Sequence, residues 1–230
     1  MLNDKLTVIE EFKIFDNLAH QMKKGAVGPL GWVQIYLQSK NGLIFDEGPN
    51  LISAQGREFV AQKVFHSCAT DVGYRDNWTD YVLSHFALGD GGTSISGTPP
   101  SIQLNGPYIC DTSLISAVSL DGASYLTEPG PSQIPMCVKP IVSGGGSTHL
   151  VSYGYSGGGS TCTYYTKMKC TCIIPAGEPG NLSVGEAIKF DEAALYFVSG
   201  VDAKLFSHIC FPPKWKEKES ILTIQWYILF

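Results

Sequence analysis

The sequence is poor in charged residues. Only 16% of its 230 residues are Asp, Glu, Lys or Arg, against about a quarter in an ordinary globular chain. Its basic residues form no cluster beyond Lys23-Lys24 and residues 214–218, and the formal net charge is -5. A nucleic-acid-binding surface needs many basic groups to neutralise phosphates. The composition therefore predicts no nucleic-acid partner, and it favours a protein that works in contact with neighbouring proteins.

Long apolar runs are also missing. No segment approaches the ~20 consecutive apolar residues of a transmembrane helix, and residues 1–5 do not resemble the start of a signal peptide. We therefore expect no membrane partner, and we expect the protein to be made and kept in a reducing compartment. Hydrophobic residues still make up 44% of the chain, which is enough for a substantial core.

The cysteines lack the spacing of a metal or redox site. No C-x-x-C pair is present, and Cys170 and Cys172 form C-x-C, which places both sulfurs on one face of a strand. An odd number of cysteines in a chain without an export signal does not suggest disulfides. We interpret them as mostly small buried apolar residues. They are Cys68, Cys110, Cys137, Cys162, Cys170, Cys172 and Cys210.

Catalytic and cofactor signatures are missing as well. The loop at residues 89–93 is rich in glycine but lacks the Lys-Ser/Thr ending of a P-loop. Asp90 lies in this loop without the acidic density of a calcium site. The histidines are scattered, and we interpret His85 and His208, which fall on predicted strands, as structural. They belong to the set His20, His66, His85, His149 and His208.

Two pairs of neighbouring acids remain, Asp46-Glu47 and Asp191-Glu192. Glycosidases use paired carboxylates, but we interpret both pairs as ordinary solvated charges. Along a strand, neighbouring side chains point to opposite faces, which argues against a shared site at Asp191-Glu192. The sequence therefore predicts no catalytic residues, no cofactor and no metal.

Residues 1–27 form a separate segment. Apolar residues recur there at roughly helical spacing, and Lys23-Lys24-Gly25 has the composition of a helix end. The segment is predicted to be either a helix packed on its own domain or an arm that docks on a neighbouring subunit. The apolar positions are Leu6, Ile9, Phe12, Phe15, Leu18 and Met22.

Residues 28–230 are predicted to form one domain made mainly of β-strands. Residues 32–38 alternate in polarity and are followed by Asn41-Gly42, a strong hairpin signal, and by a returning strand that ends at Gly48-Pro49-Asn50. Ser53 is a predicted N-cap for a helix over residues 54–66. Its inner stripe is Ile52, Gly56, Phe59, Val60, Lys63 and Val64, and an inward glycine suggests close approach to a sheet.

The second half continues this pattern. A strand over residues 81–88 is followed by short strands, and the repeated Ser-Gly runs at 143–148 and 156–161 flank a strand at 149–155. We interpret residues 143–161 as a hairpin insertion. Three strands close the chain, at residues 187–198, 203–211 and 221–230, with Pro212-Pro213 ending the second strand and residues 214–220 forming a charged turn.

The last strand is the most apolar part of the chain. Its alternating residues share one face, so it must be paired and covered, and we place it in the middle of a sheet. The predicted fold is all-β: an antiparallel β-sandwich, with a jelly roll as one candidate topology. The residues on that face are Leu222, Ile224, Trp226, Ile228 and Phe230.

Three groups of motifs occur in a definite order. The first is an N-L-[IV]-x-x-x-G segment, and the second is an [IF]-A-[LV]-G-x-G-x-[TS] strand and turn. The third is an ending similar to I-x-E-x-[AG]-L-[FY] … F-x-P-[IV]-x-K … L-x-[IV]-x-W-x-[IL]-x-F, of which the last part is matched at every position. This arrangement resembles virion structural proteins of tailed bacteriophages. The matching residues are 50–61, 86–94 with Thr98-Pro99-Pro100, and 188–196, 205–208, 211–214 and 222–230.

The resemblance implies a non-enzymatic assembly module of the tail, baseplate or neck, or alternatively a capsid-surface decoration protein. Such a module is assembled in the cytoplasm of the host bacterium, and its partners are other virion proteins and copies of itself. The motifs cover less than half of the chain, and residues 1–27 and 143–161 have no counterpart in them. We expect these two segments to make the contacts between subunits.

Two other functions follow from the residues themselves. A receptor- or carbohydrate-binding module would use the tyrosines near the glycine runs to stack on a host-surface glycan. A hydrolase on a jelly roll would use Asp191 and Glu192. The tyrosines are Tyr153, Tyr155, Tyr164 and Tyr165.

Overall fold

The computed structural model describes residues 13–14, 17–18, 20–21, 30–65, 81–109, 111, 113–121, 124–127, 135–141, 149–156 and 163–229. Most of these residues lie in strands, and the predicted all-β class is confirmed. The elements are β1 (Leu30–Ser39), β2 (Gly42–Ile52), α1 (Ala54–Phe65), β3 (Val82–Gly89), β4 (Thr93–Ser96), β5 (Ser101–Leu104), β6 (Ser124–Thr127), β7 (Pro135–Pro140), β8 (His149–Ser156), β9 (Thr163–Ile174), β10 (Ala187–Ser199), β11 (Asp202–Glu217) and β12 (Ile221–Leu229).

Ten of these strands form one large sheet, in the order β10-β3-β7-β6-β11-β2-β1-β12-β9-β8. Strand β10 also pairs with β11, so the part of the sheet from β10 to β11 closes on itself. Strands β4 and β5 form a separate hairpin. Side chains from β1, β9 and β12 share one hydrophobic core with side chains from β3, β10 and β11. A sandwich or jelly-roll topology stays a prediction.

The C-terminal strand lies in the middle of the sheet, as predicted. Strand β12 pairs with β1 on one side and with β9 on the other. The predicted inner face, represented by Leu222, Ile224, Trp226 and Ile228, is buried in the main core. The alternation of side chains along the strand produces this face directly, because both neighbours hold the strand in a fixed register.

The opposite face of β12 is also covered. Tyr227 and Leu229 are buried against Ile14 and Leu18, which are in helical conformation. The described part of the 1–27 segment therefore lies on the sheet of its own chain. Among the six apolar positions predicted for this helix, only Leu18 is a described residue.

The β1–β2 hairpin forms as predicted, but β2 does not end at residues 48–50. Gly42, with φ +126°, opens β2 after the two-residue turn, and the strand continues through Pro49 to Ile52. A strand can continue through Pro49 because β11 pairs with β2 only at Leu51 and Ile52. Proline lacks the N–H that would donate to a neighbouring strand, but no β11 residue pairs with Pro49, so no hydrogen bond to β11 is lost.

The second boundary that the sequence predicted wrongly is in β11, which does not stop at Pro212-Pro213. The strand runs on to Glu217 and carries a bulge, because Phe190 pairs with Lys214 whereas Glu192 pairs with Cys210. Proline has no N–H to donate to a ladder, so the chain accommodates both prolines in the bulge and then resumes pairing.

The predicted charged turn at residues 214–220 is shorter than expected, because residues 214–217 belong to the strand and only residues 218–220 form the turn. Lys214 and Lys216 are buried. The Lys214 Nζ lies 2.8 Å from Asp46 Oδ2, and the Lys216 Nζ donates to the Glu178 carbonyl oxygen at 2.6 Å. Each buried ammonium group thus keeps a hydrogen-bond partner, as burial of a charge requires.

The helix is capped and seated as the sequence predicted. The Ser53 hydroxyl accepts the Gly56 N–H at 3.0 Å and donates to the Leu205 carbonyl oxygen at 2.6 Å. A Cβ at Gly56 would lie within 3.0 Å of two Phe206 atoms, one of them the carbonyl oxygen. Gly56 therefore allows α1 to pack directly on the backbone of β11.

The 149–155 strand is present as β8, at the edge of the sheet beside β9. The two Ser-Gly runs that flank it lie outside the described residues apart from Ser156. Among the residues that the structure describes, no helix is long and apolar enough to cross a membrane.

We expect Gly56→Ala to destabilise the protein, although alanine stabilises a helix by about 1 kcal/mol relative to glycine. The added methyl group has to displace backbone of β11, an overpacking cost of about 1–3 kcal/mol. Equilibrium denaturation measures the difference. Gly48→Ala is the matched control, because nothing lies within 4 Å of a Cβ there. Equal or greater stability of Gly56→Ala would contradict the close packing.

Candidate functional site

Asp191 and Glu192 are completely buried. Their interpretation as solvated charges was wrong. The bulge at Asp191 interrupts the pairing of β10 with β11, so the alternation of neighbouring side chains does not apply across this pair. Both carboxylates bind the glycine-rich turn that follows β3.

Asp191 is held by three groups. Its Oδ1 accepts the Gly92 N–H at 2.8 Å, and its Oδ2 accepts the Thr93 hydroxyl. The Lys189 Nζ lies 2.8 Å from the same Oδ2 and supplies the opposite charge. A buried carboxylate is tolerated when its oxygens are bonded in this way.

Glu192 binds more backbone than Asp191 does. Its Oε1 accepts the N–H groups of Gly91 at 3.2 Å and Ser116 at 2.7 Å, and its Oε2 accepts that of Ile115 at 2.9 Å. The Glu192 Oε2 also lies 3.1 Å from His208 Nε2. One side chain therefore fastens two separate loops to the β10–β11 ladder.

The glycines of the turn allow Asp191 and Glu192 to approach its backbone closely. A Cβ at Gly89 would lie well inside 3.0 Å of the Glu192 carboxylate, and a Cβ at Gly92 equally close to the Asp191 backbone. Any side chain at either position would push the acids away from the turn. The glycine-rich sequence that suggested a phosphate loop is thus explained by a protein carboxylate in the same place.

His208 completes the cluster from β11 and has no exposed surface. Its Nδ1 lies 2.8 Å from Asp111 Oδ2, and its Nε2 lies 3.1 Å from Glu192 Oε2. Burial alone lowers the pKa of His208, but contacts with Cys210, Glu192 and Asp111 raise it to about 10. At neutral pH the ring is an imidazolium that donates from both nitrogens.

Asp111 and Cys210 lie beside this histidine. The Asp111 Oδ2 also accepts the Tyr108 N–H at 2.7 Å, and its side chain is 18% exposed. The Cys210 Sγ is buried and lies 3.8 Å from His208 Nε2. We define Asp111, Glu192, His208 and Cys210 as the His208 cluster.

The register of β10 and β11 explains why three of these side chains meet. Glu192 pairs directly with Cys210, so their side chains share one face of the ladder, and His208 shares that face because it precedes Cys210 by two residues. The sequence pattern did not predict this cluster. The His208-x-Cys210 spacing was visible, but the position of Glu192 opposite it depends on the register.

Three cysteines can be compared with the prediction. Cys170, Cys172 and Cys210 are free and buried, as expected. Burial raises the pKa of the Cys170 thiol to about 12, and burial together with the neighbouring Cys170 raises the pKa of the Cys172 thiol well above its ordinary value. The side chains of Cys68, Cys110, Cys137 and Cys162 are outside the described part of the structure.

The other candidate residues are not brought together. Asp90 is exposed. The Asp46 carboxylate binds Lys214, and Glu47 accepts a hydrogen bond from the Trp32 indole at 3.2 Å. These acids are ordinary partners of nearby side chains, which agrees with the predicted role of Asp46-Glu47.

The tyrosines proposed for glycan binding lie on β8 and β9. The register places Tyr155 opposite Tyr164 and Gly154 opposite Tyr165, and Tyr153 lies two residues before Tyr155. Their side chains are outside the described part of the structure.

The His208 cluster is better suited to holding the fold than to acid–base chemistry. Both ring nitrogens of His208 are engaged with carboxylates, so the ring has no lone pair to accept a proton. All four oxygens of Asp191 and Glu192 already accept hydrogen bonds. The one other chemical capacity of the cluster is metal binding, through Glu192, His208 and Cys210.

We expect His208→Gln to destabilise the protein by about 3–5 kcal/mol, because it leaves the buried Glu192 carboxylate and the partly buried Asp111 carboxylate without their counter-ion. Urea denaturation measures the loss. His85→Gln is the control, since His85 lies on β3, is only half-buried and has the Ser84 hydroxyl 2.8 Å away. A loss below about 1 kcal/mol for His208→Gln would show that the imidazolium is not needed to hold Glu192.

No protein-family model, no curated protein and no solved structure matches this chain.

Proposed function

We propose that this chain is a non-enzymatic structural component of a tailed-bacteriophage virion. It acts as an oligomeric assembly module of the tail, baseplate or neck. Its partners are other virion proteins and further copies of itself, and it assembles in the cytoplasm of the host bacterium.

The observation that carries the proposal is that the motif segments contact one another. The turn at residues 89–93 is bound by Asp191 and Glu192 of the C-terminal ending. The first segment contacts the same ending, because Ser53 N–H donates to the Phe206 carbonyl oxygen at 3.0 Å and Gly56 packs on Phe206. The motif residues therefore support each other in the fold, which explains their joint occurrence without any catalytic role.

Exposed apolar side chains give independent support for a role in assembly. Leu43 is 61% exposed at the β1–β2 hairpin, where Trp215 is also exposed. Ile95 and Ile102 pair with each other on the β4–β5 hairpin, and Ile95 is 76% exposed. Contiguous apolar surface of this kind marks sites of contact between proteins.

We expect the purified protein to form a defined oligomer, measured by size-exclusion chromatography with light scattering. Two double variants test which hairpin makes the contact: Leu43→Ser with Ile44→Ser, and Ile95→Ser with Ile102→Ser. At least one of them should shift the measured mass towards that of the monomer. Val184→Ser is the control, because Val184 is 83% exposed but lies on neither hairpin. A wild-type protein that stays monomeric at all concentrations would contradict self-assembly.

The virion assignment has its own test. Mass spectrometry of purified particles from cells that carry this gene should detect the chain at a fixed ratio to the other virion proteins. A stop codon early in the gene should leave particles that are incomplete or fail to assemble. Complete, infectious particles without the chain would overturn the assignment.

A receptor- or carbohydrate-binding module is the second candidate, and the β8–β9 register favours it by bringing four tyrosines into one short stretch of the ladder. Glycan-array binding should then be lost when Tyr155 and Tyr164 are replaced by alanine. The exchange of Tyr36 for alanine, on β1, is the control. If the chain is found in the particle but binds no glycan, the result supports the structural role and contradicts the glycan-binding role.

A further inference from the structure

We infer that Glu192, His208 and Cys210 form a binding site for one divalent transition-metal ion, and that the site is suited to Zn²⁺. All three side chains are buried. The inference stands apart from the virion proposal, because it depends only on the atoms of the His208 cluster.

The geometry supports a shared ion. The Glu192 Oε2 and His208 Nε2 atoms are 3.1 Å apart, His208 Nε2 and Cys210 Sγ are 3.8 Å apart, and all three atoms lie within 4.8 Å of one another. Tetrahedral zinc with ordinary bond lengths separates oxygen and nitrogen ligands by about 3.3 Å and nitrogen and sulfur ligands by about 3.6 Å. Small side-chain movements therefore complete the arrangement.

The chemistry of the three ligands suits a cation. Glu192 offers a carboxylate oxygen, His208 an imidazole nitrogen and Cys210 a sulfur that binds metals as a thiolate. Binding of a metal ion releases any protons that these ligand atoms carry without it.

The surrounding bonds orient the ligands. Asp111 accepts the Nδ1–H of His208, so Nε2, which faces Glu192 and Cys210, is the nitrogen that would bind the metal, as in carboxylate–histidine–zinc arrangements. The Ile115 N–H donates to the same Glu192 oxygen that would bind the ion and fixes its position. These bonds exist without the metal, so the ligand set is prepared for it.

The ligand types select the ion. Oxygen, nitrogen and sulfur together suit zinc and its neighbours, whereas Mg²⁺ and Ca²⁺ require oxygen ligands throughout. Three protein ligands leave a fourth position for water. Burial of the site favours slow exchange of the bound ion.

Cobalt titration of the tag-free full-length protein, stripped with a chelator, tests the inference. We expect a thiolate-to-cobalt charge-transfer band and strong visible bands that saturate at one ion per chain and disappear when Zn²⁺ is added. Cys210→Ser should abolish the charge-transfer band, and calorimetry should show a loss of zinc affinity of about 10-fold or more. Cys172→Ser, in the main core, is the control and should leave both unchanged.

Asp111→Asn changes the residue that orients His208 and leaves all three metal ligands in place. It should keep the charge-transfer band and weaken binding about 10–100-fold. Circular dichroism and urea denaturation of each variant establish that it is folded. A wild-type protein without the charge-transfer band would overturn the inference, and so would a folded Cys210→Ser variant that binds zinc as tightly as the wild type.

Discussion

The fold depends on one buried carboxylate. Glu192 accepts three backbone N–H groups from two loops and also contacts the imidazolium of His208. Without these partners a charge at this depth would cost several kcal/mol, and with them it fixes both loops against the β10–β11 ladder. A buried charge of this kind specifies geometry, because only one arrangement of the loops satisfies all of its acceptors.

The hydrophobic core provides the rest of the organisation. Trp226 and Ile224 on β12 share one core with Phe190 on β10 and Phe206 on β11. The two parts of the large sheet that contain these strands therefore bury their apolar faces against each other. The His208 cluster lies on the opposite face of the β10–β11 ladder, because Glu192 and His208 alternate with the core residues Ala193 and Ile209. The two strands are thus held by an apolar core on one face and by a polar cluster on the other.

This arrangement supports the proposed role of the protein in assembly. The charged groups of its interior are used to bind backbone, whereas apolar side chains such as Leu43 and Ile95 are left on the surface. Both ring nitrogens of His208 contact carboxylates, and both carboxylate oxygens of Glu192 accept hydrogen bonds. The further chemistry inferred for the His208 cluster is to bind a metal ion, which would reinforce the same loops.

Local pattern was enough to predict much of the fold. The alternation in residues 222–228 placed β12 inside a sheet, Ser53 and Gly56 marked the start and the inner face of α1, and Asn41-Gly42 marked the first hairpin. These features depend on neighbours in the sequence.

Other features depend on which strand lies opposite and in which register. They include the positions of Pro49 and Pro212-Pro213 inside strands and the burial of Asp191 and Glu192. Most elements and their buried faces could be predicted from the sequence, because side-chain alternation and capping are local. The His208 cluster could not, since its four residues are up to 99 positions apart along the chain and meet only through strand pairing.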